Sequence, residues 1–102
     1  SSTTFYAARL GGSSFERAEA TEAVFVASDL REARLRRAKL VRAQLLKANL
    51  MGALLERADL TDADVRGANL HACEVWRAKL AGAKLDLAIV TQSKLSKGPW
   101  TP

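Results

Sequence analysis

The chain has 102 residues, 48% of them apolar and 26% charged, and its 16 Lys and Arg against 11 Asp and Glu leave a formal net charge of +5. That length makes one small domain, and no run of about 18 or more apolar residues is present to span a membrane. One cysteine, Cys73, and one histidine, His71, exclude an internal disulfide and a Cys/His metal site, and no cofactor is expected. The unpaired cysteine mildly favours a reducing compartment, and no signal peptide is visible, so a cytoplasmic location or delivery by a secretion system is expected. The chain opens on Ser1 rather than Met, which predicts processing or excision from a longer protein.

Taken from the N-terminus, the sequence keeps time in fives. Phe5, Leu10 and Phe15 begin the frame, Ala20 weakens it, Phe25 restores it, and Leu30, Leu35, Leu40, Leu45 and Leu50 continue it. It runs on to Leu95 and Trp100 without insertion, so that 12 of 20 centres are Leu and only Ala20 is small. Two residues before the centre, 14 of 20 positions are Ala and the rest are Thr, Ser, Cys or Gly. A helix cannot use this pattern, because five residues at about 100° each make successive centres drift by about 140° around its axis. In an extended segment the centre and the residue two before it face the same way, and the two remaining residues turn a corner. Four quarter-turns then close a square, and residues 20 apart stack at about 4.8 Å.

The triplets "ANL" at 48–50 and 68–70 and "ADL" at 58–60 resemble the A-(D/N)-L-x-x unit of the pentapeptide-repeat family, and the resemblance covers essentially the whole chain. It implies an all-β fold: a right-handed quadrilateral β-helix of about five coils, with the central Leu or Phe and the preceding Ala inside. The chain departs from the pattern at the position before the centre, where Arg34, Lys39, Lys79, Lys84 and Lys94 replace Asp or Asn. The repeats are expected over 1–97, with 98–102 as an end cap in which Gly98, Pro99 and Pro102 stop strand pairing and Trp100 lids the last coil. The resemblance also implies a bacterial origin, a module of a secreted effector included. Some members of the family bind type II topoisomerases by mimicking DNA, a role that needs an acidic surface and is disfavoured here by charge.

The frame sorts exterior residues onto four walls. The first, centred on Phe5, Phe25, Leu45, Val65 and Leu85, carries an apolar column of Tyr6, Val26 and Leu46, read as strand-stacking residues or a secondary binding patch. On the second, centred on Leu10, Leu30, Leu50, Leu70 and Val90, Asp29, Asn49 and Asn69 line up and are expected to hydrogen-bond along their column. His71 falls outside this wall and Cys73 inside the next, which separates them as a catalytic pair. The fourth, centred on Ala20, Leu40, Leu60, Leu80 and Trp100, alternates in sign, with Glu19, Lys39, Asp59 and Lys79 in one column and Glu22, Arg42 and Asp62 in the next.

The third wall, centred on Phe15, Leu35, Leu55, Val75 and Leu95, holds the charge. Its corner column reads Arg17, Arg37, Arg57, Arg77 and Lys97; Arg34, Arg36 and Lys94 add to it, and Trp76 stands beside them. These eight cations face three carboxylates, Glu16, Glu56 and Glu74, so this one wall accounts for the net charge of +5. Like charges on neighbouring strands repel. Either the guanidinium groups splay into water or they form an anion-binding face. No set of converging catalytic groups is apparent and no enzyme is expected. The expected role is a non-catalytic scaffold presenting this wall to an acidic protein, with a structural spacer within a larger chain as the alternative. Nucleic acid is a weaker reading, because Trp76 alone offers a stacking platform. At the N-terminal end, continuation into missing repeats or an end-to-end homodimer is expected.

Overall fold

The computed structural model describes residues 4–5 and 8–92, so Tyr6, Lys94, Lys97, Trp100 and the 98–102 tail lie outside the described residues. Every bridge is parallel and joins residues 20 apart, from Thr4 with Val24 to Asn69 with Ile89. The coils therefore stack in register, and the extents of 32 × 22 × 21 Å fit a square section of nearly equal sides.

In the middle coils each pentapeptide donates three bonds to neighbouring coils. Leu35 N–H donates to the Leu54 carbonyl at 2.7 Å, Leu54 N–H to Ala33 at 2.9 Å, and Arg37 N–H at the corner to Glu56 at 2.9 Å. The corner itself is a turn closed by a bond from the third residue after the centre back to the centre, such as Ala38 N–H to the Leu35 carbonyl at 3.1 Å. Its second residue is left-handed throughout, with φ of 54–63° at thirteen non-glycine corners and 68–71° at four glycines. A type II turn requires that conformation, which costs an L-residue about 1–2 kcal/mol. The uninterrupted inter-coil bonding offsets that cost and explains how Arg17, Arg37, Arg57 and Arg77 occupy positions that favour glycine.

The interior follows the inferred pattern. Leu30, Ala33, Leu35, Ala38 and Leu40 are all buried, and the same holds through Leu70 and Cys73. Burying each leucine contributes about 1.5–3 kcal/mol. The core side chains leave an axial gap of about 10 Å³, lined only by Leu and Val and so without the polar partners a water needs. Two small polar residues substitute for Ala by bonding inward: Ser28 donates its hydroxyl to the Phe5 carbonyl and Cys73 its thiol to the Leu50 carbonyl at 2.9 Å. Near the first coil Phe5 and Phe25 stack at 5.1 Å, and Phe15 meets both edge-on at 6.3 and 6.0 Å. Ala20 leaves space there, a notch of about 150 Å³ bordered by the three rings.

Candidate functional site on the third wall

The residue before each centre points outward and decides how its wall ends. On the second wall Asp29, Asn49 and Asn69 accept from the amide two residues on, at Arg31 (3.1 Å), Met51 (3.2 Å) and His71 (3.0 Å). The ladder expected along this column is not formed: no bond joins these side chains along it, and each instead closes its own Asx turn. Arg31 also grips Asp29 through Nε at 2.9 Å and Nη2 at 2.7 Å, and these bonds hold the Asp29 carboxyl down at about 2. Asp64 repeats the arrangement with Arg66 on the first wall, and its carboxyl is likewise lowered, chiefly by the Arg66 side chain. On the fourth wall Glu19 pairs with Lys39 at 3.2 Å and Glu22 with Arg42 at 3.1 Å across adjacent coils.

The third wall has Ser14, Arg34, Leu54 and Glu74 before its described centres, and none of them caps its turn. Among the described residues, the amides of Glu16, Arg36, Glu56 and Trp76 meet no acceptor in the chain, and this is the one wall where none of these amides is capped. Arg17, Arg34, Arg36, Arg37, Arg57 and Arg77 are all exposed. Arg36 pairs with Glu56 at 3.2 Å; among the described residues the other five have no carboxylate within ion-pair distance. Arg57 and Arg77 instead flank the indole of Trp76, with their guanidinium carbons 5.1 and 4.7 Å from the ring centroid. That cation–π clamp relieves part of the repulsion in the column. It also occupies the surroundings of a ring that remains 49% exposed. Six cations and three carboxylates of this wall are described, and Lys94 and Lys97 lie outside the described residues.

The family model for pentapeptide repeats matches in eight copies, over residues 1–37, 21–57, 48–86 and 58–96. The chain belongs to the pentapeptide-repeat family. Its members fold as right-handed quadrilateral β-helices, and they are generally structural or binding proteins. Among solved structures, the chain is similar to a pentapeptide repeat protein from the cyanobacterium Cyanothece 51142, at 27% identity and a TM-score of 0.70, covering 88% of this chain and 58% of that one. It is similar also to a pentapeptide repeat protein of the Arabidopsis thaliana thylakoid lumen, at 31% identity and 0.68, covering 86% and 58%. HetL from the cyanobacterium Nostoc sp., involved in heterocyst differentiation regulation, matches at 29% identity and 0.50, covering 90% and 44%. The chain thus spans under two thirds of the length of these relatives. No curated protein matches it in sequence.

The Asp or Asn of the pentapeptide-repeat signature now has a physical role here, as the cap of its own corner. Other expectations resolve in the same geometry. Val26 and Leu46 stack in one column and are half-buried, but Arg66, held by Asp64, ends the strip one coil later. Tyr6 lies outside the described residues. His71 Nδ1 sits 2.7 Å from Thr91 Oγ1 on the exterior, while burial pushes the inward Cys73 thiol up to about 12. No helix among the described residues is long and apolar enough to cross a membrane.

One concave feature escaped the sequence reading. The corner between the second and third walls forms an open groove of about 640 Å³, floored by Gly12, Gly52 and Ala72 and edged by Arg31, Met51 and His71. Small residues recurring at one corner, with a second glycine at Gly11, were its signal. Those glycines are turn residues, as their left-handed φ requires at Gly12 and Gly52, and the missing side chains are what hollow the corner.

Proposed function

We propose that this pentapeptide-repeat domain is a non-catalytic interaction scaffold whose third wall receives an acidic protein surface. The observation that carries the reading is the asymmetry of pairing. Elsewhere Asp29, Asp64, Glu19 and Glu22 each engage a cation of the chain, whereas Arg17, Arg37, Arg57 and Arg77 share one column with no carboxylate. Guanidinium groups favour carboxylates because two N–H bonds align with two oxygens. A rigid rod holds them in a line without ordering cost at binding. Nucleic acid fits less well: the one exposed aromatic of the wall is already flanked by two arginines, and single-strand binders use several free rings. A spacer role in a longer chain is the second reading, supported by the unbroken stacking of every described coil.

The test is a pull-down from nuclease-treated lysate with the wild type and an Arg37/Arg57/Arg77→Asn variant. Asn tolerates the left-handed corner, so the charge is removed while the backbone is kept. Capture of an acidic protein by wild type alone is the expected outcome. Equal capture by both proteins removes the basic wall from the reading, and no capture by either leaves the spacer.

A further inference from the structure

The second wall shows what a carboxylate does on this scaffold. Asp29 takes the amide two residues on and two nitrogens of Arg31, three bonds to one group. The third wall offers one uncapped amide per coil, at Glu16, Arg36, Glu56 and Trp76, and sets an arginine one residue beyond each, at the corner position that follows the one Arg31 holds. We infer that carboxylates of a partner occupy these vacant turns, and that the partner element is an acidic α-helix lying along the rod axis. The inference rests on the scaffold reading above and specifies what the wall recognises.

Pitch selects the helix. Four coils set the donors at three intervals of about 4.8 Å, or about 14 Å in all. Carboxylates along one face of a helix advance about 5.4 Å per turn, reaching about 16 Å over three turns. Arginine side chains absorb a mismatch of about 2 Å. Alternate residues of an extended peptide advance about 6.6–6.8 Å, overshooting by about 6 Å over the same span. A broad acidic sheet fails for another reason: Glu16 and Glu56 within the stripe of donors, and Glu74 beside it, repel a wide anionic face. A helix presents one narrow row of charge, which leaves Glu16 and Glu74 to water and Glu56 to Arg36. The half-exposed indole of Trp76 lies at the far end of the stripe, where it can meet an apolar helix residue next to the acidic row.

Three probes test this: a stapled helical peptide of about 15 residues with glutamates at i, i+4, i+7 and i+11, its isomer with the same glutamates spread around the helix, and a duplex DNA of similar length. The facial peptide is expected to bind about tenfold or more tightly than its isomer. Its titration should shift the amide resonances of Glu16, Arg36, Glu56 and Trp76 and leave those of Arg31, Met51 and His71, already capped, unmoved. Leu54→Asn supplies a cap for the Glu56 amide without changing charge, so affinity should fall severalfold while the melting temperature holds or rises. Equal binding of both peptides, lost together in the Arg37/Arg57/Arg77→Asn variant, overturns the helix and spares the basic wall. Unchanged affinity in Leu54→Asn with unmoved amides overturns the vacant turns. Binding of the duplex alone, falling steeply with salt, replaces the helix by nucleic acid. Binding of none of the three overturns the inference outright.

Discussion

The second and third walls are adjacent quarters of the same coils, with the same bridges, the same left-handed corners and the same leucine interior. They differ in the residue before the centre. Asp29, Asn49 and Asn69 fold back onto their own turns and cap the three middle coils of the second wall. Ser14, Arg34, Leu54 and Glu74 leave the third wall with open amides, beside a column of arginines that no carboxylate of the described residues pairs. One position in five therefore sets whether a turn is capped by its own side chain, and it does so without touching the core.

The comparison first demands that the interiors be equivalent. Leu30 and Leu35 are the buried centres of the two walls, 0% and 1% exposed. Leu30→Ala and Leu35→Ala should each cost about 2–5 kcal/mol in denaturant unfolding, and by similar amounts. A large disparity would mean that the walls differ inside as well as out. The next effect is smaller and opposite in sign on the two faces. Asn49→Ala releases the Met51 amide and should cost about 1 kcal/mol. Arg34→Asp places on the third wall the arrangement that Asp29 makes with Arg31, now with Arg36, and should stabilise by a similar amount while abolishing partner binding. A stabilised protein that no longer binds separates recognition from folding; a destabilised one would show that the third-wall turn cannot accept the cap.

Acid is expected to act most weakly. Asp29 is held at about 2, below the ordinary carboxylate range near 3.9, so its stabilising contribution is present above about pH 4 and is lost as the pH falls towards 2. The pair is solvent-exposed, which keeps the effect small. Melting curves of wild type and Asp29→Asn should converge as the pH drops through that window, because Asn keeps the cap to Arg31 and lacks the titrating charge. A constant gap down to pH 2 would place the acid sensitivity elsewhere.

The architecture was legible because periodicity is a property of the whole chain. Twenty centres in one frame fix which side of each residue faces in, and residues 20 apart must then share a column. Thus the arginine column, the separation of His71 from Cys73 and the Glu19–Lys39 pairing all followed from arithmetic. Local competition did not. Whether Asn49 bonds along its column or back to Met51 depends on distances within one turn, which no period encodes. The clamp on Trp76 depends on two rotamers, and the groove at Gly12 and Gly52 on what side chains leave empty. The uncapped amides were likewise hidden, since their significance appears only beside the capped ones.

The square section also governs how such a surface can be inherited. Inserting or deleting five residues keeps every core position filled, because each unit supplies its own leucine and its own small residue. Every exterior residue downstream, however, is carried round to the next face. A five-residue deletion after Arg37 would move Arg57 and Arg77 off the line of Arg17 and onto a different side of the rod. Only gains or losses of 20 residues preserve the column. Selection for the fold alone would tolerate any multiple of five, so length variation among descendants of this chain reads out whether its charged face was being kept.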